Sequence, residues 1–292
     1  MEKCPLISVL MTSFNRELFI AEAIESLLNS SYSNFELIIV DDNSVDNTLQ
    51  IARSYATIDP RIKVFCNETN LGDYSNRNKA ATYASGEFIM YLDSDDKITT
   101  DGIEMCVNAI QKWPYANFAM YYIHREIKEP FYLNSNDAFD IHFFTRPSLM
   151  IGPGGTLIRR DFFFAIGGYP ELYGPANDLY FNLKAVSHAG VLFLPFEFGF
   201  YRIHEGQEQN NKFAYLFNNY NYLRDAINEL DLSLSNKEKV WLMNKNRRRF
   251  IFNLARHFWK TKNISQVRDA CSFTEFGPSD LFKGLFHFEI SR

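Results

Sequence analysis

Leu6-Ile7-Ser8-Val9-Leu10-Met11 and Phe35-Glu36-Leu37-Ile38-Ile39-Val40 are two short apolar runs, and residues 17–28 between them form an amphipathic stretch. That order reads as strand, helix, strand, a βαβ unit. The rhythm continues with a helix over 45–56, a strand over 62–66, a helix over 75–84, a strand over 87–92, a helix over 101–112 and a strand over 117–123. Strands alternating with helices predict a mainly parallel sheet covered on both faces, hence the α/β class. Periodicity weakens over 128–146, which reads as a loop-rich insert. Gly152, Gly154 and Gly155 lead through a turn into a strand at Thr156-Leu157-Ile158-Arg159, and Gly167-Gly168 closes a short helix after Asp161. Asn177-Asp178 reads as the N-cap of a helix running to about residue 187.

From residue 207 strand signals cease and aromatic-rich helical patterns take over, broken at Leu232-Ser233-Leu234-Ser235 before a helix over 237–260. The boundary is placed near residue 206, giving an α/β domain over 1–206 and a C-terminal helical region over 207–292. No internal repeat is visible.

Composition narrows the function classes. A chain of 292 residues with 46% apolar content is ordinary for a globular protein and long enough to bury a sizeable core. Cys4, Cys66, Cys106 and Cys271 show neither Cys-x-x-Cys spacing nor a nearby His, so a zinc site is not expected and a reduced, cytoplasmic chain is the simplest reading. Residues 4–13 are too poor in apolar side chains for a signal peptide, and nothing approaches the ~20 apolar residues that span a bilayer. Residues 1–206 carry 16 basic and 26 acidic side chains and the remainder 14 and 9, so the two parts differ in sign. An anionic partner for the C-terminal part is one explanation and a solvated helix face the other; no nucleic-acid partner is expected.

The most telling local feature is Tyr91-Leu92-Asp93-Ser94-Asp95-Asp96, three carboxylates within four positions where a buried strand ends. Open α/β sheets bind ligands at that edge. Crowded carboxylates repel one another and are costly to desolvate, so a divalent cation bridging to a polyphosphate is a natural reason to hold them together.

Five pieces stand in order at predicted strand ends: Ser8-Val9-Leu10-Met11-Thr12-Ser13-Phe14-Asn15-Arg16, Val40-Asp41-Asp42-Asn43-Ser44, Asn70-Leu71-Gly72 with Arg77-Asn78, Leu92-Asp93-Ser94-Asp95-Asp96, and Asn177-Asp178. Together they resemble family 2 glycosyltransferases of the GT-A fold, a Rossmann-like sheet, over residues 5 to about 204. The resemblance implies a nucleotide-sugar donor, usually a UDP-sugar, bound across the sheet edge. It further implies transfer of the sugar to an acceptor hydroxyl with inversion at the anomeric carbon.

Residue by residue, the resemblance places Thr12 and Phe14 against the base, with Phe14 where the family often has Tyr. Asp42 accepts from the uracil ring, although Asp41-Asp42-Asn43-Ser44 is also a good turn and helix cap. Arg77 reaches the base or the diphosphate. Asp93 and Asp95 match the family's Asp-x-Asp, with Asp95 the direct ligand of Mg2+ or Mn2+ and Asp93 touching the ribose or metal-bound water. Such an ion takes most of its ligands from phosphates and water and neutralises the leaving diphosphate. Asp96 is read instead as a cap for a helix from Thr99 onward. Asp178 is the expected general base, with a helix cap as its alternative, and Asn177 departs from the family's usual Glu. Tyr201-Arg202-Ile203-His204 resembles a later segment, with Arg202 contacting the donor and His204 completing the metal site. Gly152, Gly154 and Gly155 resemble an acceptor-side loop.

The Gln-x-x-Arg-Trp motif of processive relatives is absent, which points to transfer of a single sugar. The acceptor is expected to be a glycan or lipid-linked glycan in cell-surface polysaccharide or glycolipid synthesis. Two other readings stay open: a sugar nucleotidyltransferase, whose Gly-rich, Arg-containing first loop is missing here, and a non-catalytic nucleotide-sugar or glycan-binding protein of the same fold. Residues 237–262 hold nine Lys or Arg and one Glu interleaved with Val240, Trp241, Met243, Phe250, Ile251, Leu254, Phe258 and Trp259. Such a segment suits peripheral contact with the inner face of a membrane, packing on the catalytic domain with its charges in water, or an oligomer interface.

Overall fold

The computed structural model describes residues 4–124, 126–203 and 212–286. The first βαβ unit forms as read: β1 (Ile7–Ser13), α1 (Ile20–Leu28) and β2 (Phe35–Asp41), with Ile7 beside Phe35 and Ser13 beside Asp41 in parallel register. α1 exists because Ile20, Ala23, Ile24 and Leu27 recur at helical spacing and are all buried. α2 (Thr48–Ala56), β3 (Ile62–Cys66), α3 (Asp73–Thr82) and β4 (Phe88–Tyr91) continue the alternation.

β5 (Lys97–Ile98), α4 (Gly102–Lys112), β6 (Phe118–Tyr121), β7 (Phe131–Leu133), α5 (Ser135–Asp140), β8 (Thr156–Arg159), α6 (Arg160–Ala165), α7 (Asn177–Ala189), β9 (Val191–Leu194) and β10 (Gly199–Phe200) follow. The main sheet has the order β3-β2-β1-β4-β8-β6-β9-β7, and β5 pairs with β10 in a small antiparallel ribbon. β8 runs against both β4 and β6, so its entry turn arrives at the edge where β1, β2 and β4 end. This reversal carries the glycine-rich turn at 152–155 to the carboxylates that follow β4.

Alternate strand residues feed two cores. Leu10, Ile38, Val40, Ile89 and Tyr91 face one side with Ala80, Phe163 and Phe181 from α3, α6 and α7. Ile7, Val9, Met11, Leu37 and Ile39 face the other, with Ile24 and Cys106 from α1 and α4. The expected α/β sheet with helices on both faces is what forms. α8 (Lys212–Glu229), α9 (Asn236–Thr261), α10 (Ile264–Phe273) and α11 (Pro278–Leu285) complete the chain. Ser235 and Glu238 cap α9 reciprocally, the signature of Ser-x-x-Glu before a helix. Tyr222, Leu223, Leu242 and Met243 from α8 and α9 join the core under α7, whereas Leu216, Tyr220, Phe250 and Ala270 build a separate cluster. Among the described residues no helix is long and apolar enough to cross a membrane.

Three local readings are corrected. Residues 128–146 are not loop-rich: β7 closes the sheet edge, and α5 continues into a π-helical turn at Ile141–Thr145. A three-residue edge strand is too short to show periodicity, and the Asn134 side chain starts α5 by accepting from Asp137 N. Asp96 does not cap a helix, because α4 begins only at Gly102 and the Asp96 carboxylate accepts from Arg202 N at 2.9 Å. Ala176, not Asn177, occupies the cap position of α7; Asn177 bonds backward to Tyr173 N and Gly174 O.

Glu36 is one of two charged side chains in β2, the other being its terminal Asp41. Burial would push the Glu36 carboxyl up, but bonds from Lys63, Ser8 and Ser85 outweigh that and bring it down to about 2. A depressed carboxyl stabilises the fold above the ordinary carboxylate range, and that contribution fades as pH falls from about 4 towards 2. Glu36→Ala leaves the buried Ser8 hydroxyl without its acceptor, while Lys63 and Ser85 can turn to solvent, so urea unfolding at pH 7 should show a loss of about 1–3 kcal/mol, shrinking as the pH is lowered to 3.

Candidate active site

The loops that leave β1, β2 and β4 enclose a cleft of about 830 Å³ together with the start of α3, the turn before β8 and the start of α7. This is where strand order reverses around β1, the usual ligand crevice of such sheets. Thr12, Phe14, Asp42, Arg77, Asp93, Asp95, Asn177 and Asp178 all line it, as do Gly152 and Pro153. The structure thus gathers most of the expected site residues in one cavity. Arg202 is not among them: its guanidinium meets Glu22 of α1 at 3.1 Å and lies over the Phe19 ring. His204 falls outside the described residues.

At the end of β1 the Phe14 ring is 43% exposed, enough to present a face to a planar ligand. Asp41 is wholly structural, accepting from Ser13 Oγ, Ser44 N and Ser44 Oγ. Asp42, one residue on, accepts from Asn67 Nδ2 at 2.7 Å, Leu71 N at 2.9 Å and Gly72 N at 2.9 Å. Its carboxylate therefore builds the 70–72 turn, and a fourth acceptor position remains for a ligand donor. Gly72 adopts φ +86°, a conformation that favours glycine.

Arg77 is buried at the centre of the site. Its Nη2 lies 2.7 Å from Asp93 Oδ1 and its Nε 2.9 Å from Asp73 Oδ1, one helical turn earlier. The guanidinium sits between the Tyr74 and Tyr91 rings at 5.8 and 5.6 Å from their centroids. Burial pushes the Asp93 carboxyl up and Arg77 pulls it back. Asp95 faces a different cation, with Arg16 Nε 2.9 Å from its Oδ2.

Asp178 opens α7. Its Oδ1 accepts from Leu179 N at 2.7 Å, and burial pushes its carboxyl up to about 7 against the opposing pull of that bond, Arg77 and the Tyr74 hydroxyl. A methyl group at Gly152 would stand 3.7 Å from Oδ2, so the missing side chain keeps the approach to that oxygen open. The turn before α7 is held by Asn177 and braced by α8, where Asn218 crowds Gly174 at φ +47° and Glu229 accepts from the Tyr180 hydroxyl. Tyr215 of α8 and Tyr201 form part of the cleft wall.

Four participants were not expected from sequence. Asp73 stands four residues before Arg77, a spacing that signals a helical ion pair. Arg16 lies inside the first quoted motif without a role. Tyr74 and Tyr215 carry no signal beyond being aromatic.

Comparison with known proteins follows the same lines. The family described as glycosyl transferase family 2 matches residues 8–166, more than half of the chain, and this protein belongs to it. An Escherichia coli protein named UDP-Glc:alpha-D-GlcNAc-diphosphoundecaprenol beta-1,3-glucosyltransferase WfgD is 41% identical over 107 residues, covering 37% of this chain and 42% of that protein. A Campylobacter jejuni GalNAc(5)-diNAcBac-PP-undecaprenol beta-1,3-glucosyltransferase is 36% identical over 100 residues, 34% of this chain and 32% of that one. The chain spans less than half the length of the curated relatives it matches. Among solved structures, Staphylococcus aureus TarS 1–349 with UDP-GlcNAc superposes with a TM-score of 0.73 at 23% identity over 95% of this chain and 83% of that one. The mannosyltransferase PcManGT of Pyrobaculum calidifontis, with GDP-Man and Mn2+, gives 0.62 at 15% identity over 99% and 89%. These likenesses establish the fold, a GT-A-like α/β sheet with C-terminal helices.

The raised Asp178 carboxyl has a stability consequence of definite sign. The folded chain keeps this proton between the ordinary carboxylate range and about 7, where the unfolded chain has released it, so stability falls as pH rises through that window. Asp178→Asn removes the fall. Calorimetry should find the variant several degrees more stable than the parent at pH 8, with the difference largely gone at pH 4.

Proposed function

We propose that this chain is an inverting, metal-dependent glycosyltransferase that moves one sugar from a nucleotide-diphosphate sugar, a UDP-sugar, to an acceptor hydroxyl. The observation that carries the reading is Asp178: a carboxylate with its proton affinity raised to about 7, its Oδ2 flanked by Gly152, in the same cleft as Asp42 and Asp95. A base tuned near neutrality is suited to accept a hydroxyl proton. The UDP donor is supported by the name of the Escherichia coli relative and by the nucleotide bound to TarS. The diphosphoundecaprenol in the name of one relative and the PP-undecaprenol in that of another support a lipid-linked glycan acceptor, hence cell-surface polysaccharide or glycolipid synthesis.

In this mechanism Phe14 and Thr12 hold the base, Asp42 accepts from its edge, and Asp93 orients the ribose end of the donor while Arg77 fixes Asp93. The acceptor oxygen attacks the anomeric carbon as Asp178 Oδ2 takes its proton. The bond from that carbon to the diphosphate breaks, and the electron pair leaves with the diphosphate. Among the described residues no trio of acidic, His or Cys side chains forms a metal cage. Asp95 fits instead an ion that draws most of its ligands from substrate phosphates and water. Bound there, Mg2+ or Mn2+ would supply charge neutralisation for the departing diphosphate.

A panel of nucleotide sugars with Mn2+ tests this directly. Metal-dependent turnover is expected with one UDP-sugar, and Asp95→Ala and Asp178→Ala should each lower kcat by at least about 100-fold. The rate in the parent should rise with pH to a plateau above about 7 as Asp178 loses its proton. Full turnover in both variants would refute these roles, and calorimetric binding of UDP with Mn2+ but no product would leave a non-catalytic nucleotide-sugar-binding protein.

We also propose that the exposed end of α9 meets an anionic membrane surface. The helix divides: Leu242, Met243 and Phe250 are buried, whereas Phe252, Phe258 and Trp259 are exposed, Trp259 at 76%. Arg248 lies over the Phe252 ring and Lys262 over the Trp259 ring, so exposed aromatics and cations share the surface. That pairing complements anionic head groups above an apolar layer. The parent should co-sediment with vesicles containing phosphatidylglycerol, lose binding in high salt and weaken in Trp259→Ala. Absence of vesicle binding, or self-association through the same face in analytical ultracentrifugation, would overturn this contact.

A further inference from the structure

Asp95 is engaged by a cation that belongs to the protein. Arg16 follows Asn15, held at φ +53° in the left-handed region. Bonds from Asn15 N to Ser44 Oγ, from Val45 N to Asn15 Oδ1 and from Arg16 N to Thr48 Oγ1 pin this loop to the segment after β2. The guanidinium is oriented further by Nη1, which donates to the carbonyls of Phe14 and Asn15 at 3.1 and 3.2 Å. With the loop and side chain so fixed, Nε donates to Asp95 Oδ2 at 2.9 Å. Both side chains are largely shielded, at 24% and 12% exposure.

We propose that Arg16 is a positioning residue that holds Asp95 in the donor-free protein and makes the site refuse a bare divalent cation, admitting metal only together with a nucleotide diphosphate. The inference rests on reading Asp95 as the metal ligand. Two cations sharing one shielded carboxylate repel strongly, because solvent screens them poorly there. Asp93 does not relieve the excess charge, since it is already engaged by Arg77. A diphosphate supplies the missing negative charge, so Arg16 and the metal are tolerated together only when the donor is present. Metal and nucleotide are thereby coupled, and by linkage each strengthens the other equally.

Mn2+ binding followed by electron paramagnetic resonance, with and without UDP, tests this without any turnover. The parent should bind Mn2+ at least about tenfold more tightly with UDP than alone, within the usual range of coupling between sites. Arg16→Gln should bind bare Mn2+ about tenfold more tightly than the parent and lose most of the coupling; Arg16→Lys, which keeps the charge, should behave like the parent. Thermal melts of each variant establish that the fold is intact. An unchanged affinity of Arg16→Gln for bare Mn2+ overturns the inference, as does a variant that loses only UDP affinity. The companion variant Asp95→Asn separates the two layers of the account. If it leaves Mn2+–UDP binding intact, the assignment of Asp95 as metal ligand fails; if it abolishes binding while Arg16→Gln matches the parent, only the role of Arg16 fails.

Discussion

The buried Arg77 guanidinium is the interaction on which the cleft depends. Asp73, Asp93 and Asp178 all act on it or are acted on by it, and without a central cation that many acidic groups beneath one surface would be held apart or forced to keep their protons. Burial alone would weaken the guanidinium's hold on its proton, but Asp73 and Asp93 outweigh it and keep the group firmly charged. Its position is enforced from several sides. The Tyr91 hydroxyl donates to the Arg77 carbonyl, two tyrosine rings flank the head group, and α3 supplies Asp73 at the right turn. The carboxylates differ in consequence: Asp93 is tied to Arg77, while Asp178 is left with a proton it releases near neutrality.

Topology does the remaining assembly. Parallel β1, β2 and β4 end at one edge, so their loops deliver Phe14, Asp42 and Asp93 to Asp95 side by side. Antiparallel β8 brings Gly152 back to that edge, and α7 presents Asp178 beside it. The helical region is not detached from this arrangement, since α8 braces the turn before Asp178 and places Tyr215 in the cleft wall.

Much of this was legible in the residues because the signals were redundant. β2 is apolar except for Glu36 and its terminal Asp41, and α1 and α4 repeat buried side chains at helical spacing, so the βαβ rhythm and its strand ends followed directly. The strand ends in turn located Asp42, Asp93 and Asp95. Elements of two or three residues, β5, β7 and β10, give no periodicity and were invisible. Asp96 and Asn177 misled for a shared reason: both types favour caps, and only tertiary contacts show that one holds the Arg202 backbone and the other the preceding turn. Arg16 stood in plain view within a motif, but nothing in its spacing announces a partner 79 residues away.

In the proposed mechanism Asp178 deprotonates an acceptor that attacks from the side opposite the diphosphate, so the central claim is stereochemical. Proton nuclear magnetic resonance of the isolated product, compared at the anomeric position with the donor sugar, tests it most directly. Inverted configuration in the first-formed product is the predicted result; a retained configuration would contradict the account.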